Sequence, residues 1–565
     1  MITTRMRHLL PAGFLLAGSL LAGPTWAQPA DLILHNGKVV TVDKNFTTTE
    51  ALAIRGDRFV AVGDNETVLK EAGPNTQIID LDGRTVVPGL IDTHLHMASA
   101  ALNRPAVKLL EARSVDDVKK LIAERVAQTP PGQWVVASSG WHESLLSEGR
   151  LPTRYELDEV SPNNPVFIPR GGHVVTVNSK ALELAGIKKD TPDPKGGVIV
   201  RDPATGEAIG VLLETAAYFA RRVLPPPPAP AERARLLRET MRELNSYGLV
   251  SVVEPGIDEP TIQIYAQLRD AGAMTIRTDL LYRALTKEQV QKGLSQTSLR
   301  SDDMLRFAGI KYPLDGGVEG ARLYEPYQIV PGEQPDPNYR GVLLLPPGGE
   351  DEYVEGLKLA AAAKVQVQTH AVGDETIDVI VRSYERVNAE TPIRDLRWTI
   401  MHVFLPTESA LKKMSELGIM ATAQDHAVLL GHNQRRWWGD KRAGYAIPIR
   451  AMLDAGVHVG GGTDGPVVPV DPFLSMWWMA TRGTLNGYQL GPEQAITPRE
   501  ALQLYTINNA IVMGVEKDRG SIESGKLADL AVLSQDILSV PPQAIRDTKA
   551  LMTIVGGDIV YRSGI

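Results

Sequence analysis

The chain has 565 residues, of which 43% are hydrophobic and 22% charged, and its formal net charge is −8. This is the composition of a globular protein that can bury a large core. The acidic balance argues against nucleic acid as a partner, because nucleic-acid binding needs a basic surface. The sequence contains no cysteine, which excludes disulfides and thiolate chemistry. Any metal must therefore be held by nitrogen and oxygen ligands.

The first 27 residues have the pattern of an export signal. Arg5 and Arg7 precede an apolar stretch over residues 9–22, and Ala27 offers a small residue for cleavage. The stretch is shorter than the ~20 residues that a membrane-spanning helix needs, although an uncleaved anchor is the alternative. We therefore expect Sec-type export, a mature chain that begins near Gln28, and a periplasmic or secreted protein. No later segment predicts a stable membrane span.

The two ends of the mature chain, residues 28–87 and 516–565, have the patterns of β structure. Neither end has enough strands to be stable alone, so we expect both to pair into one small β-sandwich. Strand and turn signals occur in four segments: 31–43 around Asn36-Gly37, 51–63 around Gly56-Asp57, 520–533 as strand, turn and strand, and 553–561 as a hairpin at Gly556–Asp558.

Residues 88–515 alternate short apolar strands with helical patterns, which favours a parallel β/α sheet. One helix is predicted over residues 231–247, with Gly248 placed to end it. Eight parallel strands with intervening helices predict the α/β class, as a (β/α)8 TIM barrel. The eight predicted strands are Val86–His96, Val250–Glu254, Thr275–Tyr282, Phe307–Tyr312, Val365–His370, Trp398–His402, Ile419–Gln424 and Val457–Asp464.

Two segments are too long to be simple connections between barrel elements. The first, at about residues 109–217, follows the first predicted strand and has strand and turn signals of its own, such as Pro165–Pro169. We interpret it as an inserted subdomain over the barrel mouth. The second is the Pro/Gly-rich stretch Pro331–Gly349, after the fourth strand.

Polar side chains recur where the predicted strands end. His94 and His96 are two residues apart on a strand, so both side chains leave the same face and can reach one ion. Since the carboxyl ends of barrel strands meet at one face, polar groups at the ends of other strands converge on the same place. Those groups are Lys311, His370, His402 and Asp464.

Together with these residues, several further motifs resemble the amidohydrolase superfamily, in particular the YtcJ-like branch of the amidohydrolase-3 type. The resemblance covers nearly the whole mature chain; its motifs are specific for the family and weak for the substrate. They are Pro88–His96, Gly140-Trp141, Leu157-Asp158 with Pro165-Val166, Gly172-His173, Asn178–Leu182, Ile310-Lys311 with Asp315-Gly316, Thr369–Asp374, His402, Gly462–Pro466 and Gly520–Asp529.

The resemblance implies one or two divalent ions at the barrel mouth. Zinc is the expected metal, and manganese, iron or cobalt are alternatives that nitrogen and oxygen ligands also accept. In this scheme the first two histidines hold one ion and the last two hold the other. The implied ligands are His94, His96, Lys311, His370, His402 and Asp464.

Two of these ligands would also take part in catalysis. Lys311 matches the position at which such enzymes often carry a carboxylated lysine, whose carbamate bridges both ions where a free ammonium would repel them. The alternatives are an unmodified Lys311 in a mononuclear site and a lysine paired with Asp315. Asp464 would take a proton from a metal-activated water and pass it to the leaving nitrogen.

Four more residues are candidates for the substrate pocket. His173, in the insertion, is also a catalytic candidate; the alternative is a structural histidine bonded near Asn178. Trp141 belongs to a family motif, and Trp437, expected in a loop after the seventh strand, could form a pocket wall or pack on the barrel. For His426 the family often has Gln-Pro-x-His, and the missing proline leaves the direction of its side chain open.

The expected function is therefore an exported metal-dependent amidohydrolase that cleaves a non-peptide C–N bond in a small-molecule amide, N-substituted formamide or cyclic amide. An esterase, lactonase or carbamate hydrolase with the same site is the first alternative. A non-catalytic periplasmic binding protein is the second, and the complete ligand set argues against it. A homodimer is a candidate oligomeric state.

Overall fold

The computed structural model describes residues 28–299, 301–331 and 336–564. The predicted export signal over residues 1–27 lies outside this part of the chain. Within it, no helix is both long and apolar enough to cross a membrane.

The N-terminal segment is built mainly of strands. Its elements are β1 (Leu32–His35), β2 (Lys38–Val40), β3 (Thr48–Thr49), β4 (Ala51–Arg55), β5 (Arg58–Gly63), α1 (Asn65–Leu69), β6 (Gln77–Asp80) and β7 (Thr85–Pro88). The next segment holds the first barrel strand and the insertion: β8 (Leu90–Asp92), α2 (Met97–Leu102), α3 (Val115–Val126), β9 (Val135–Val136), α4 (Arg154–Val160), β10 (Val166–Arg170), β11 (Val174–Val177), α5 (Ser179–Leu184), β12 (Gly197–Arg201), β13 (Ala208–Glu214) and α6 (Ala217–Arg221).

The rest of the chain alternates helices and strands before it returns to β structure. The alternating elements are α7 (Pro230–Asn245), β14 (Leu249–Ile257), α8 (Glu259–Asp270), β15 (Arg277–Arg283), α9 (Lys287–Leu294), β16 (Leu305–Pro313), α10 (Gly349–Ala362), β17 (Gln366–Ala371), α11 (Asp374–Asn388), β18 (Thr399–His402), α12 (Glu408–Leu417), β19 (Met420–Gln424), α13 (Ala427–Trp438), α14 (Asp440–Tyr445), α15 (Ile449–Asp454), β20 (Val459–Gly462), α16 (Pro472–Thr481), α17 (Pro498–Leu504) and α18 (Ile507–Met513). The chain ends with β21 (Leu530–Leu533), β22 (Ala550–Val555) and β23 (Asp558–Arg562). Short 3-10 turns cover Glu143–Leu145, Ser295–Ser298, Arg394–Leu396, Pro492–Gln494 and Pro542–Asp547.

Strands β14 to β20 and β8 form the predicted barrel. Neighbouring strands pair in parallel in the order β8-β14-β15-β16-β17-β18-β19-β20. The first and last strands meet where the Thr93 amide donates to the Gly461 carbonyl at 3.1 Å and the Asp464 amide to the His94 carbonyl at 2.7 Å. The (β/α)8 prediction is confirmed, and the ends of β8 and β20 lie side by side.

The first barrel strand is shorter than predicted. Val86–Pro88 belong to β7, which pairs with β2 and β21 outside the barrel, and only Leu90–Asp92 join the barrel as β8. Gly89 separates the two, and a Cβ at this position would lie 2.5 Å from both γ-methyl groups of Val250. This close approach requires glycine. In the sequence the two strands form one continuous apolar run, which is why a single strand was predicted.

Both ends of the chain contribute to a β-sandwich, as expected from the fold class. One sheet has the order β5-β4-β1-β6, and the other, β23-β22-β21-β7-β2-β3, mixes strands from both ends. The Asn36-Gly37 turn closes no hairpin, because β1 and β2 lie in different sheets; a Cβ on Gly37 would clash with Leu81 at 2.4 Å. Of the predicted pattern at 520–533, only Leu530–Leu533 is a strand.

The first insertion forms a sheet of order β12-β13-β11-β10-β9 with apolar clusters on its faces. The segment between β16 and α10 folds back on the strand end, where the Leu344 amide donates to the Leu314 carbonyl at 2.7 Å. Both insertions therefore lie next to the carboxyl ends of the barrel strands.

Candidate active site

A cavity of about 420 Å³ lies at the carboxyl ends of the barrel strands and is lined by residues of the barrel and both insertions. Nine of the predicted site residues line it together: His94, His96, Trp141, His173, Lys311, His370, His402, His426 and Asp464.

The end of β8 and the end of β20 meet at Asp464. Nε2 of His94 and Nε2 of His96 each lie 3.3 Å from Oδ1 of Asp464. The ring of His402, at the end of β18, lies 4.7 Å from the ring of His94, centroid to centroid. One ligand atom each from His94, His402 and Asp464 lies within 4.8 Å of the others, and all three residues are buried. These groups are close enough to share one cation.

His370 lies next to His402 at the end of the neighbouring strand, and Lys311 lines the same cavity. The rings of His370 and His402 are 4.6 Å apart, and Nε2 of His370 is 3.3 Å from Oδ1 of Asp315. Asp315 also accepts a hydrogen bond from the Gly373 amide at 2.8 Å. Among the described residues it forms no ion pair with Lys311, so that alternative for the lysine is not observed. Asp315 instead holds His370 in place.

Burial governs the charge of Lys311. It lowers the pKa of Lys311 to about 8, against the opposing effect of Asp464 and with help from the charge of Arg283. At neutral pH a fraction of this side chain is therefore a neutral amine, the form that can add carbon dioxide.

Polar partners orient the histidines and Asp464 from behind. Nδ1 of His402 donates to Oε1 of Gln424 at 2.7 Å, which directs the other ring nitrogen into the cavity. Nε2 of His426 lies 2.8 Å from Oδ2 of Asp464. Asp92 accepts hydrogen bonds from the Thr463 hydroxyl at 2.7 Å and from the His94 amide at 2.9 Å, so it fixes the two strand ends against each other.

The backbone at two of these positions is unusual. His402 has a φ of 73° and Asp464 a φ of 60°, in the left-handed region that residues other than glycine rarely adopt. Such conformations persist where the surrounding structure holds them, and they concentrate at functional sites. Both turns direct a polar side chain over the strand ends.

The donor set fits a divalent cation. Both ring nitrogens of His94 and Oδ1 of Asp464 are buried without a hydrogen-bond partner among the described residues. Burial lowers the pKa of His94 to about 3 and that of His402 well below 6.5, so both imidazoles are neutral. Burial alone would raise the pKa of Asp464, but His94 and the hydrogen bond from His426 hold it well below 3.8. Neutral imidazoles and a carboxylate are the ligands that zinc-type ions bind.

The insertion brings His173 and Trp141 to the cavity. Nδ1 of His173 lies 2.8 Å from Oε2 of Glu214, and although burial opposes it, the charge of Glu214 raises the pKa of His173. The alternative, a structural bond between His173 and the region of Asn178, is absent. The side-chain amide of Asn178 instead donates to the carbonyls of residues 161 and 164. Trp141 is buried, and its Nε1 donates to the Pro169 carbonyl at 2.9 Å.

A buried ion cluster joins three separate segments beside this cavity. Nε of Arg170 lies 2.9 Å from Oε2 of Glu143, and Nη1 of Arg170 also pairs with Glu319. The side-chain amide of Asn433, on α13, donates to Glu143 at 2.8 Å. The cluster fixes both insertions to the barrel. Sequence reasoning missed it, because its members are far apart in the chain.

Trp437 does not behave as predicted. The segment after the seventh strand is the helix α13, not a loop, and Trp437 near its end is 7% exposed. It packs in the apolar core of the barrel and is not among the described residues that line the cavity. The alternative of packing on the barrel holds for this residue.

Three orienting residues were missed or misplaced: Glu214, Asp315 and Gln424. A signal existed for two of them. Gln424 ends a predicted barrel strand, the position of other site residues, and Asp315 belongs to a family motif. Glu214 ends β13 in the insertion with a φ of 50°, and nothing local in the sequence shows that it meets His173.

Comparisons with known proteins agree with this geometry. The model of the amidohydrolase family matches residues 77–561. An N-substituted formamide deformylase of Arthrobacter pascens is 33% identical in sequence, over 94% of this chain and 99% of the deformylase chain. The YtcJ protein of Bacillus subtilis (strain 168) is 28% identical over 94% of this chain and 99% of its own.

A solved structure also spans most of the chain. An uncharacterized metal-dependent hydrolase from Pyrococcus furiosus is 26% identical, covers 90% of this chain and 100% of its own, and superposes with a TM-score of 0.69. Together with the family match, this confirms the resemblance seen in the sequence motifs. The chain belongs to the amidohydrolase family and is a metal-dependent hydrolase.

Proposed function

We propose that this protein is an exported amidohydrolase that cleaves the C–N bond of N-substituted formamides or related small amides. One observation carries the proposal: Oδ1 of Asp464 faces Nε2 of His94 and of His96 at 3.3 Å, while its Oδ2 is bound by His426 at 2.8 Å. A carboxylate held between metal ligands and a histidine is placed for proton transfer. The similarity to an N-substituted formamide deformylase supports the substrate class.

One or two Zn²⁺ ions are the proposed cofactors, with manganese, iron or cobalt as metals that the same donors accept. The proposed ligands are His94, His96, Lys311, His370, His402 and Asp464. Lys311 takes part as a carbamate: its neutral Nζ forms an N–C bond with carbon dioxide and loses one proton. The lowered pKa of Lys311 supports this step, and the negative carbamate suits a site for cations.

A divalent ion at this site would lower the pKa of a water molecule from ~15.7 toward ~7 and polarise a carbonyl. The Asp464 carboxylate then accepts the proton that the water loses as its oxygen bonds to the formyl carbon. Asp464 passes the same proton to the amide nitrogen as the C–N bond breaks, and the products are a neutral amine and formic acid, which releases its own proton to become formate. His426 holds Asp464 in position for both transfers, and His173, held by Glu214, directs its free ring edge at the substrate carbonyl.

The cavity walls fit a small apolar substituent on the amide nitrogen. Phe404, Leu429, Leu430 and Val467 line it on the side of the barrel and α13. A volume of about 420 Å³ is within the range of small-molecule sites. We therefore expect monomeric amides as substrates.

The test combines metal analysis with a substrate panel. Purified protein should contain one or two equivalents of divalent metal and hydrolyse N-benzylformamide faster than a matched ester or lactone. Intact mass should show the carbamate on Lys311 as an added carbon dioxide. The Asp464→Asn variant should keep its metal and lose turnover. Turnover by this variant would refute the assigned proton transfer. If the metal-loaded wild-type protein binds the compounds of the panel tightly without turnover, the proposal that it is an enzyme is refuted.

Export is tested separately. The full chain, expressed in a Gram-negative host, should appear in the periplasmic fraction with an N-terminus near Gln28. A full-length chain retained with the cell membranes would show that the first 27 residues act as an anchor instead.

A further inference from the structure

We propose that Arg221 binds an anionic group of the substrate, so that the preferred substrate is a formamide or small amide whose amine portion carries a carboxylate. The inference rests on the proposed function and adds the charge of the substrate to it. It depends on which charges in the cavity wall already have partners and which do not.

The carboxylates of the cavity wall are compensated. Glu214 pairs with His173, and Glu319 pairs with Arg170. Asp315 accepts backbone hydrogen bonds and contacts His370, and Asp464 faces the metal ligands. None of these acids is left over to attract a cationic substrate.

Arg221 has no such partner. It is the last residue of α6 and lines the cavity from the insertion. Within residues 28–299, 301–331 and 336–564 it forms no ion pair, and its one side-chain hydrogen bond runs from Nη2 to the Gly172 carbonyl at 3.1 Å. The guanidinium also stacks on Phe167 at 5.6 Å. Because a guanidinium has five N–H donors, most of its donors remain free for a ligand.

The position of Arg221 is fixed rather than free. The Gly172 carbonyl that it binds directly precedes His173, so the guanidinium is anchored next to a residue of the active site. A half-buried guanidinium normally pairs with a carboxylate, and the planar fork binds a carboxylate with two parallel hydrogen bonds. Burial lowers the pKa of Arg221, as expected for a cation that lacks an acidic neighbour.

The cavity wall holds a second arginine, whose side chain is exposed to water. Arg283, at the end of β15, pairs in register with Lys311 and lines the same cavity. It forms no ion pair with any residue of the described chain. Of the two arginines, only the half-buried Arg221 lacks both a carboxylate partner and full access to water, so the charge of the cavity wall is left unbalanced at this residue. An anionic substrate would restore the balance.

The anion belongs to the amine portion of the substrate. In a formamide the acyl portion is a formyl group, whose carbonyl carbon carries only a hydrogen, so a carboxylate can lie only on the amine portion. The apolar wall of Phe404, Leu429 and Leu430 suits the hydrocarbon part of the same amine. The substrate class is thus an N-formylated or N-acylated amine that carries both an apolar side chain and a carboxylate.

The test compares two ligands that differ in one charge. N-formylphenylalanine and N-formylphenylalaninamide, each enantiomer separately, are titrated calorimetrically into metal-loaded protein of the Asp464→Asn background. The carboxylate should bind at least ten-fold more tightly than the amide. Arg221→Met should weaken carboxylate binding about ten- to a hundred-fold, the range of a hydrogen bond between charged groups, and change amide binding less than three-fold.

The neighbouring Arg222 provides the matched control. Its guanidinium stacks on Phe219 at 5.2 Å and it is not among the described residues that line the cavity, so Arg222→Met should leave both affinities unchanged. Arg221→Lys keeps the charge and should retain part of the preference for the carboxylate over the amide. It also provides a second test if Arg221→Met fails to fold. Equal binding of acid and amide, or equal losses for both in Arg221→Met, would overturn the inference.

Turnover by the wild-type enzyme separates this inference from the proposed function. Hydrolysis of both compounds without a preference for the acid overturns the anion site and leaves the amidohydrolase in place. Arg221-dependent binding of the acid without hydrolysis of either compound supports the anion site and contradicts the proposed reaction.

Discussion

Nε2 of His426 lies 2.8 Å from Oδ2 of Asp464, and the other oxygen of the same carboxylate faces His94 and His96. The two oxygens of Asp464 therefore have separate environments. One faces the cation site, and the other is fixed by a histidine that precedes α13. The segment Gln424-Asp425-His426 lacks the proline common in the family, and its histidine nevertheless points into the site.

Replacement of His426 by alanine should lower kcat about ten- to a hundred-fold, the usual cost of losing a residue that orients an active-site group. Metal content should not change, because His426 contacts Asp464 on the oxygen away from the other histidines. His432→Ala is the matched control: it lies on α13, the helix that His426 precedes, and its ring stacks on Tyr488 at 5.9 Å. Equal losses in kcat for the two variants would contradict the role of His426.

The barrel was predictable because each strand is a short apolar run with its own turn signals. The predicted Trp398–His402 differs from β18 by one residue at its start, and the predicted Val365–His370 differs from β17 by one residue at each end. The prediction of the first strand was wrong because it joined two apolar strands, β7 and β8, that follow each other directly. The chain passes from one to the other at Gly89, which packs closely against Val250. Such a contact is tertiary and leaves no local pattern.

The same distinction applies to the site. Histidines at strand ends could be found from the sequence, because strand order and strand polarity place all carboxyl ends together. The pairing of His173 with Glu214 and of Arg170 with Glu319 could not be found from the sequence, because both depend on how the insertions fold over the barrel. Trp437 shows the reverse error: a large aromatic residue near the site suggested a wall, and tertiary packing places it in the core.

Removal of the metal should lower the melting temperature. Both ring nitrogens of His94 are buried without a hydrogen-bond partner among the described residues, and one of them would coordinate the ion, so ion binding stabilises the folded chain. A ligand at one hundred times its Kd contributes about 2.7 kcal/mol. Calorimetry after EDTA treatment should show a decrease of several degrees that Zn²⁺ reverses. EDTA already saturated with Zn²⁺ is the control, and a melting temperature that is insensitive to zinc would argue against the site.

Arg277 and Asp529 connect the base of the barrel to the segment before β21. Nε and Nη2 of Arg277 lie 2.8 and 2.9 Å from the two carboxylate oxygens, with side-chain exposures of 3% and 5%. Arg277→Met leaves a buried carboxylate unpaired and should cost about 3–5 kcal/mol of unfolding free energy. The double variant Arg277→Met/Asp529→Leu should cost less, because no charge remains unpaired.

Denaturant unfolding measures these differences. Lys70→Met, which breaks an exposed pair with Glu66 one helical turn away, is the control and should cost at most about 0.5 kcal/mol. A loss below about 1 kcal/mol for Arg277→Met would show that the buried pair contributes little to the stability of the fold.

Asp425 should make stability depend on pH. Its carboxyl group is fully buried, and neither oxygen has a hydrogen-bond partner among the described residues. Burial raises the pKa of Asp425 well above its ordinary value of 3.8. The folded chain therefore keeps a proton that the unfolded chain loses above about pH 4. Since the folded state binds more protons, its stability falls as pH rises from there toward the folded pKa.

Asp425→Asn removes this dependence, because an amide of the same shape has no proton to lose. Relative to wild type, the variant should gain stability as pH rises, by at most about 1.4 kcal/mol per pH unit. Denaturant unfolding at pH 5, 6, 7 and 8 measures the difference, and Asp190→Asn, at an exposed position of the insertion, serves as the control. A constant difference between Asp425→Asn and wild type across this range would mean that the Asp425 carboxyl is already ionised in the folded protein at pH 5.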